Sequence, residues 1–225
     1  MKKGKLIVIE AGDGAGKATQ TRKLFERLSS KGYNVRQISF PDYESPSSAL
    51  VKMYLNGDFG SHADDVDACA ASTFYAVDRY ASYRMNWKQF HDAGGIILAD
   101  RYVTSNMVHQ AVKITDDNER NAFLDWLDDF EYVKLKLPRP DLVIFLDMPP
   151  EISERLIVAR NRTDIHERDR EYQRRCYKAY KELAQKYNWL TINCSINDDP
   201  RSIEAIHEDI FKQVDVLLGK ILQQP

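Results

Sequence analysis

Apolar residues gather in short unbroken runs at Leu6-Ile7-Val8-Ile9, Ile96-Ile97-Leu98-Ala99 and Leu142-Val143-Ile144-Phe145-Leu146. Runs without polar alternation are expected of strands covered on both faces of a parallel sheet. Weaker candidates of the same kind are Asn34 to Ile38 and Trp189 to Asn193. Helical character fills much of the space between: Lys17 to Ser30 stops short of Gly32, Ala70 to Asp92 stops before Gly94-Gly95, and Asp169 to Tyr187 is rich in charge. Strands alternating with helices predict an α/β fold with a doubly wound parallel sheet. Such sheets bind ligands beyond the carboxyl ends of their strands. The informative segments are therefore those that follow each strand: Glu10 to Thr19, Phe40-Pro41, Asp100-Arg101-Tyr102 and Asp147. No repeat or low-complexity linker divides the chain, so residues 1–225 read as one domain.

Charge changes this picture little. The chain has 32 Lys and Arg against 34 Asp and Glu, so no global field draws it to nucleic acid or to an anionic membrane, and any anion site must be local. Cys69, Cys176 and Cys194 are odd in number and widely spaced, which fits reduced thiols better than a disulfide framework or a zinc site. Only Leu6 to Ile9 follows the basic start of the chain, too short an apolar run for a signal peptide or a membrane span. A soluble cytoplasmic protein is expected.

The chemistry begins after the first strand, in Gly12-Asp13-Gly14-Ala15-Gly16-Lys17-Ala18-Thr19, which leads into a helix. Glycines let successive N–H groups turn toward an anion, the helix N-terminus adds its positive end, and a lysine reaches the β- and γ-phosphates. Strand, loop, lysine and helix in this order predict a nucleoside triphosphate site of the P-loop NTPase kind, shared by GTPases, ATPases and small-molecule kinases. Two positions depart from the general pattern. Ala11 replaces its first glycine, and Ala18 replaces the Ser or Thr whose hydroxyl ligates Mg²⁺. The ion must then be held by water, by phosphates or by a carboxylate such as Asp100, with Thr19 a less well placed substitute.

Other residues point to the acceptor. Tyr75 and Arg79 lie four apart on a predicted helix and share a face, offering one ring to stack and one guanidinium to donate. Asp100-Arg101 follows a buried strand, where Asp100 can organise Mg²⁺ and Arg101 can present a fork of donors to a phosphate, although an internal ion pair is the alternative. Either Asn106 or Gln110 can match a donor–acceptor edge, since each carries an amide.

Taken together, the Asp13-containing loop, Phe40-Pro41, the stretch Phe74 to Arg79, Asp100-Arg101-Tyr102, Ser105 to Gln110, Pro140-Asp141, Asp147 and the arginine-rich segment Arg155 to Arg170 resemble the thymidylate kinases. The resemblance runs from Ile7 to about Tyr187. It implies a three-layer P-loop fold with a five-stranded sheet and a short lid at about 155–170, a homodimer, and transfer of the ATP γ-phosphoryl group to dTMP. It also implies that Tyr75 stacks on thymine, Arg79 bonds its O4, Asp13 contacts the 3′-hydroxyl, and Phe40, Pro41, Tyr43 and Ser105 lie against the substrate. His109 stands where an aromatic residue is usual; it either packs against the deoxyribose or is a helix-surface histidine. Tyr43 stands near where many relatives carry an arginine for the acceptor phosphate. Gly14 stands where some carry a catalytic arginine, which shifts that role to Arg160 or Arg162 in the lid. The rival readings are another nucleoside monophosphate kinase, or a nucleotide-binding regulator without activity, the latter suggested by Ala11, Ala18 and Tyr43.

Overall fold

A computed structural model describes residues 4–157 and 170–222. Its strands are β1 (Lys5–Glu10), β2 (Val35–Ser39), β3 (Ile96–Asp100), β4 (Leu142–Asp147) and β5 (Leu190–Asn193), all parallel, in the order β2-β3-β1-β4-β5. A small antiparallel pair, β6 (Ser195–Ile196) and β7 (Asp199–Pro200), follows. The helices are α1 (Lys17–Ser30), α2 (Ala49–Asn56), α3 (Ala68–Ser82), α4 (Lys88–Asp92), α5 (Val103–His109), α6 (Asp117–Asp128), α7 (Pro150–Ile157), α8 (Arg170–Lys186) and α9 (Ile203–Leu222).

The lack of alternation in β1 has a direct cause. Ile7 and Ile9 point into one core with Leu24 and Leu28 of α1 and Ile210 and Val214 of α9, whereas Leu6 and Val8 point into a second with Trp87, Val108, Leu127 and Tyr180. Both faces are covered, so both parities must be apolar. Ile97 and Ala99 of β3 share the second core, and Leu98 the first. At the sheet edge, β2 exposes Arg36, Gln37 and Ser39 and keeps only Val35 and Ile38 partly buried, which explains its weak apolar signal.

The long helical segment expected at Ala70 to Asp92 begins two residues earlier. Asp67 caps it, accepting from the amides of Cys69 (2.8 Å) and Ala70 (3.2 Å). Its rod is also interrupted by a wide π-helical turn at Tyr83–Trp87 before α4. Glu10, Ser39, Asp100, Asp147 and Asn193 end the five strands on one edge of the sheet, the edge where a ligand is expected. Among the described residues no helix is long and apolar enough to cross a membrane.

Leu24 is fully buried between α1 and the sheet. Leu24→Ala should lower the unfolding free energy by about 2–5 kcal/mol, and Arg22→Ala on the exposed face by less than ~0.5 kcal/mol, read from urea denaturation midpoints at constant slope.

Candidate active site

The chain leaves β1 at Glu10 and turns through Gly14 (φ 74°) and Gly16 (φ 81°), both left-handed, into α1. Gly16 is the N-cap and no side chain caps the helix, so the loop ends on an open helix N-terminus with Lys17 in its first turn. Lys17 Nζ lies 3.7 Å from Asp100 Oδ1. Burial and the nearby Arg101 charge pull the Lys17 ammonium below the ordinary lysine value, while Asp100, Asp13 and Glu10 oppose them. Two cations held this close are relieved by a bound anion.

Arg101 stands at the end of β3 in the left-handed region, φ 69°, and its guanidinium turns toward the phosphate loop. One terminal nitrogen pairs with Asp13. The other reaches His109 Nε2 (3.1 Å), Tyr180 Oη (3.2 Å) and Ser105 Oγ (3.4 Å). Burial alone would raise the Asp13 carboxyl. The Arg101 guanidinium, with His109, Lys17 and a 3.0 Å hydrogen bond from Gln173, overrides it and holds the group well below the usual carboxylate range. His109 is buried between Tyr172 and Tyr180, so it is not a surface histidine.

Asp13, Phe40, Pro41, Tyr43, Tyr75, Arg79, Arg101, Ser105, Asn106, His109 and Gln110 all line one cleft of about 250 Å³, together with Lys17 and Asp100. At the end away from the loop, Arg79 is buried and forks onto Glu131, with Nε to Oε2 at 2.7 Å and Nη2 to Oε1 at 2.6 Å. Asn106 spends its amide N–H groups on Ser72 O and Glu131 Oε1, each at 3.3 Å. Gln110 differs. It is fully buried, and among the described residues neither its Oε1 nor its Nε2 has a hydrogen-bond partner. The loop carrying Pro41 and Tyr43 is pinned from behind by Asp78, which accepts from Asp42 N (2.8 Å) and Ser47 Oγ (2.6 Å). The Phe40–Pro41 peptide is cis.

A family model for thymidylate kinases matches residues 9–210. The chain belongs to the thymidylate kinase family. It is 29% identical to human thymidylate kinase over 211 residues, covering 93% of this chain and 89% of the human protein. Against the thymidylate kinase of Mycobacterium tuberculosis H37Rv it is 30% identical over 216 residues, covering 89% of this chain and 95% of that one. The solved thymidylate kinase of Candida albicans superposes with a TM-score of 0.71 at 21% identity over 95% of this chain and 92% of that one, which supports the fold.

Within this thymidylate kinase fold, several site neighbours carry weak sequence signals. Glu10, fully buried, accepts from Tyr102 N, Thr104, Ser105 and Tyr180; its one hint was a carboxylate closing an apolar strand. Tyr172 and Tyr180 sit two turns apart on α8, a spacing that would have shown them on one face. Glu131, partner of Arg79, is 52 residues away and had no local signal. Of the arginines in the expected lid, Arg155 bonds the carbonyl of Asp198 and Arg170 lies 3.7 Å from Glu154, whereas Arg160, Arg162 and Arg168 lie outside the described residues.

Asp13 also sets a pH dependence. Its folded value lies below the unfolded one, so the stability it contributes is present above about pH 4 and is lost as pH falls toward the folded value. Asp13→Asn should therefore destabilise the chain at pH 7, and the gap to the parent should narrow at pH 3, measured by urea denaturation at both.

Proposed function

We propose that the chain is an ATP-dependent dTMP kinase that forms dTDP and ADP. The observation that carries this reading is the Gln110 amide, buried in the cleft with a donor and an acceptor both unsatisfied. An unpaired buried amide costs free energy, and a pyrimidine edge with adjacent N–H and carbonyl groups would satisfy both atoms at once. Of the two amides open from sequence, this favours Gln110, because the Asn106 N–H groups are already engaged. Tyr75, partly buried in the same cleft, provides the stacking ring, and Arg79, fixed by Glu131, the donor for a ring carbonyl.

At the other end, Arg101 takes the acceptor phosphate and the phosphate loop with Lys17 takes the β- and γ-phosphates of ATP. The acceptor oxygen is already ionised, so no general base is needed. It forms a bond to the γ-phosphorus while the bridging bond to ADP breaks. The protein contributes alignment and neutralisation of charge on the transferring group. Among the described residues no three His, Cys, Asp or Glu side chains cluster to hold a metal. One carboxylate, Asp100 beside Lys17, fits a Mg²⁺ ion that keeps most of its water and phosphate ligands, and Ala18 adds no oxygen. Such an ion supplies further neutralisation of phosphate charge. Arg160 or Arg162 brings the catalytic guanidinium from the lid.

The exposed Val77, Tyr80 and Met85, on α3 and the turn after it, support a homodimer. Membership of the thymidylate kinase family, whose members are generally cytoplasmic, supports action in the cytoplasm.

A coupled ADP-release assay with dTMP, dUMP, dCMP and AMP should show dTMP preferred; preference for the purine would contradict the reading. Gln110→Leu should raise the KM for dTMP about tenfold. Lys17→Ala should abolish turnover, and alanine at Arg160 or at Arg162 should lower kcat by about 10³, the value typical of a phosphoryl-stabilising arginine. Unchanged turnover in both lid variants would remove the lid assignment.

A further inference from the structure

Glu10 is fully buried at the end of β1 and has no salt-bridge partner within 4.0 Å among the described residues. Its carboxylate is instead satisfied by four neutral donors. Oε1 accepts from Tyr102 N at 3.1 Å and Thr104 Oγ1 at 2.6 Å. Oε2 accepts from Ser105 Oγ at 2.7 Å and Tyr180 Oη at 3.1 Å. The contact with Tyr102 N does the work of a helix cap. Tyr102 is the N-cap of α5 and no side chain of its own caps the helix, so Oε1 takes its amide from the neighbouring strand. This fixes the chain immediately after the left-handed Arg101.

The second pair controls polarity. A hydroxyl has one proton, and Ser105 and Tyr180 both direct theirs to Glu10 Oε2, with Tyr180 Oη also 3.3 Å from His109 Nε2. Their remaining lone pairs then face the Nη1 of Arg101, at 3.4 and 3.2 Å. Arginine has only donors, so both hydroxyls are oriented as the guanidinium requires. We propose that Glu10 is a positioning residue for the acceptor phosphate: through the hydroxyls of Ser105 and Tyr180 it sets where the Arg101 guanidinium points. Its oxygens touch neither substrate in this account, and the inference rests on the assignment of Arg101 to the acceptor phosphate.

An amide in place of the carboxylate is nearly isosteric but reverses one half of this arrangement. If the NH₂ of Glu10→Gln faces Ser105 and Tyr180, the Ser105 proton turns toward Arg101, donor against donor, and that of Tyr180 toward Arg101 and His109 Nε2. If it faces Tyr102 N and Thr104, the cap of α5 meets a donor. Either way the guanidinium loses its register. Hydrogen bonds to charged groups contribute enough that Glu10→Gln should raise the KM for dTMP about tenfold. The KM for ATP should rise less than that for dTMP, because Lys17 keeps Asp100 and Asp13 as nearby carboxylates when the Glu10 charge is removed.

The decisive readout is a change of sign. In the parent, Tyr180→Phe removes an acceptor from Arg101 and should raise the acceptor KM. In the Glu10→Gln background it removes a misdirected donor and should lower that KM again. Steady-state kinetics for both substrates on the four chains, with melting temperatures, test this. An unchanged acceptor KM in folded Glu10→Gln, equal losses for ATP and dTMP, or a full additive penalty from Tyr180→Phe would each overturn the proposal. Should Glu10→Gln fail to fold, Tyr180→Phe alone takes its place, since Tyr180 does not line the cleft: a raised acceptor KM at unchanged ATP KM supports the proposal, and an unchanged one overturns it. A parent chain that does not phosphorylate dTMP instead sinks the reading of the site itself, and shows this before any variant is made.

Discussion

Arg101 carries a permanent charge into a largely buried position, and the site is organised around the means of keeping it there. A lone buried cation is far too costly to persist, so the guanidinium must be surrounded by charge and acceptors. Asp13 from the phosphate loop supplies the counter-charge, and the oxygens of Ser105 and Tyr180 supply acceptors, with a ring nitrogen of His109 3.1 Å from the same guanidinium nitrogen. Those partners come from the β1–α1 loop, α5 and α8, so one ion pair ties together three elements that are remote in sequence. The guanidinium is thus positioned by side chains of the chain itself. Donors fixed in advance cost little reorganisation when charge moves during phosphoryl transfer.

The same logic shapes the opposite end. Arg79 is fully buried because Glu131 meets it with two parallel hydrogen bonds, and Asn106 fills a further site on that carboxylate. Gln110 departs from this pattern: among the described residues both polar atoms of its side chain lack a partner, whereas in Gln20, Ser72 and Trp87 a single atom does. Structures leave such groups unpaired mainly where function takes them up. The contrast between two neighbouring amides, one engaged and one not, gives the cleft its direction from base to phosphate.

Much of this was legible in the chain. The sheet could be read because both faces of β1, β3 and β4 are covered, which makes their apolar runs continuous. The edge strand β2 was fainter because water takes three of its five side chains. Phosphate-loop residues were readable because glycine spacing and a following lysine are local features, and Tyr75 and Arg79 because helical period places them together. Helices α2, α5, α6 and α9 left no comparable run of one type. The partners that hold the functional groups were largely hidden, since Glu10, Glu131, Tyr172 and Tyr180 act across 52 to 170 residues of sequence on groups whose own motifs say nothing of them. His109 was open to two readings because its neighbours on α8 decide its burial, not its own helix.

Departures from the general loop pattern acquire a physical meaning in this setting. Ala18 contributes no oxygen, and the nearby carboxylate of Asp100 is already balanced against Lys17. Tyr43 lines the cleft without a charge, which among the described residues leaves Arg101 and Lys17 as the cations at the phosphate end of the acceptor site. The account therefore concentrates recognition of the acceptor phosphate on one side chain. Calorimetric titration of dTMP and of thymidine into the parent and into Arg101→Ala tests that directly. The account predicts that the substitution removes the advantage of dTMP over thymidine and leaves thymidine binding close to the parent's. An undiminished preference for dTMP, or an equal loss for both ligands, would contradict it.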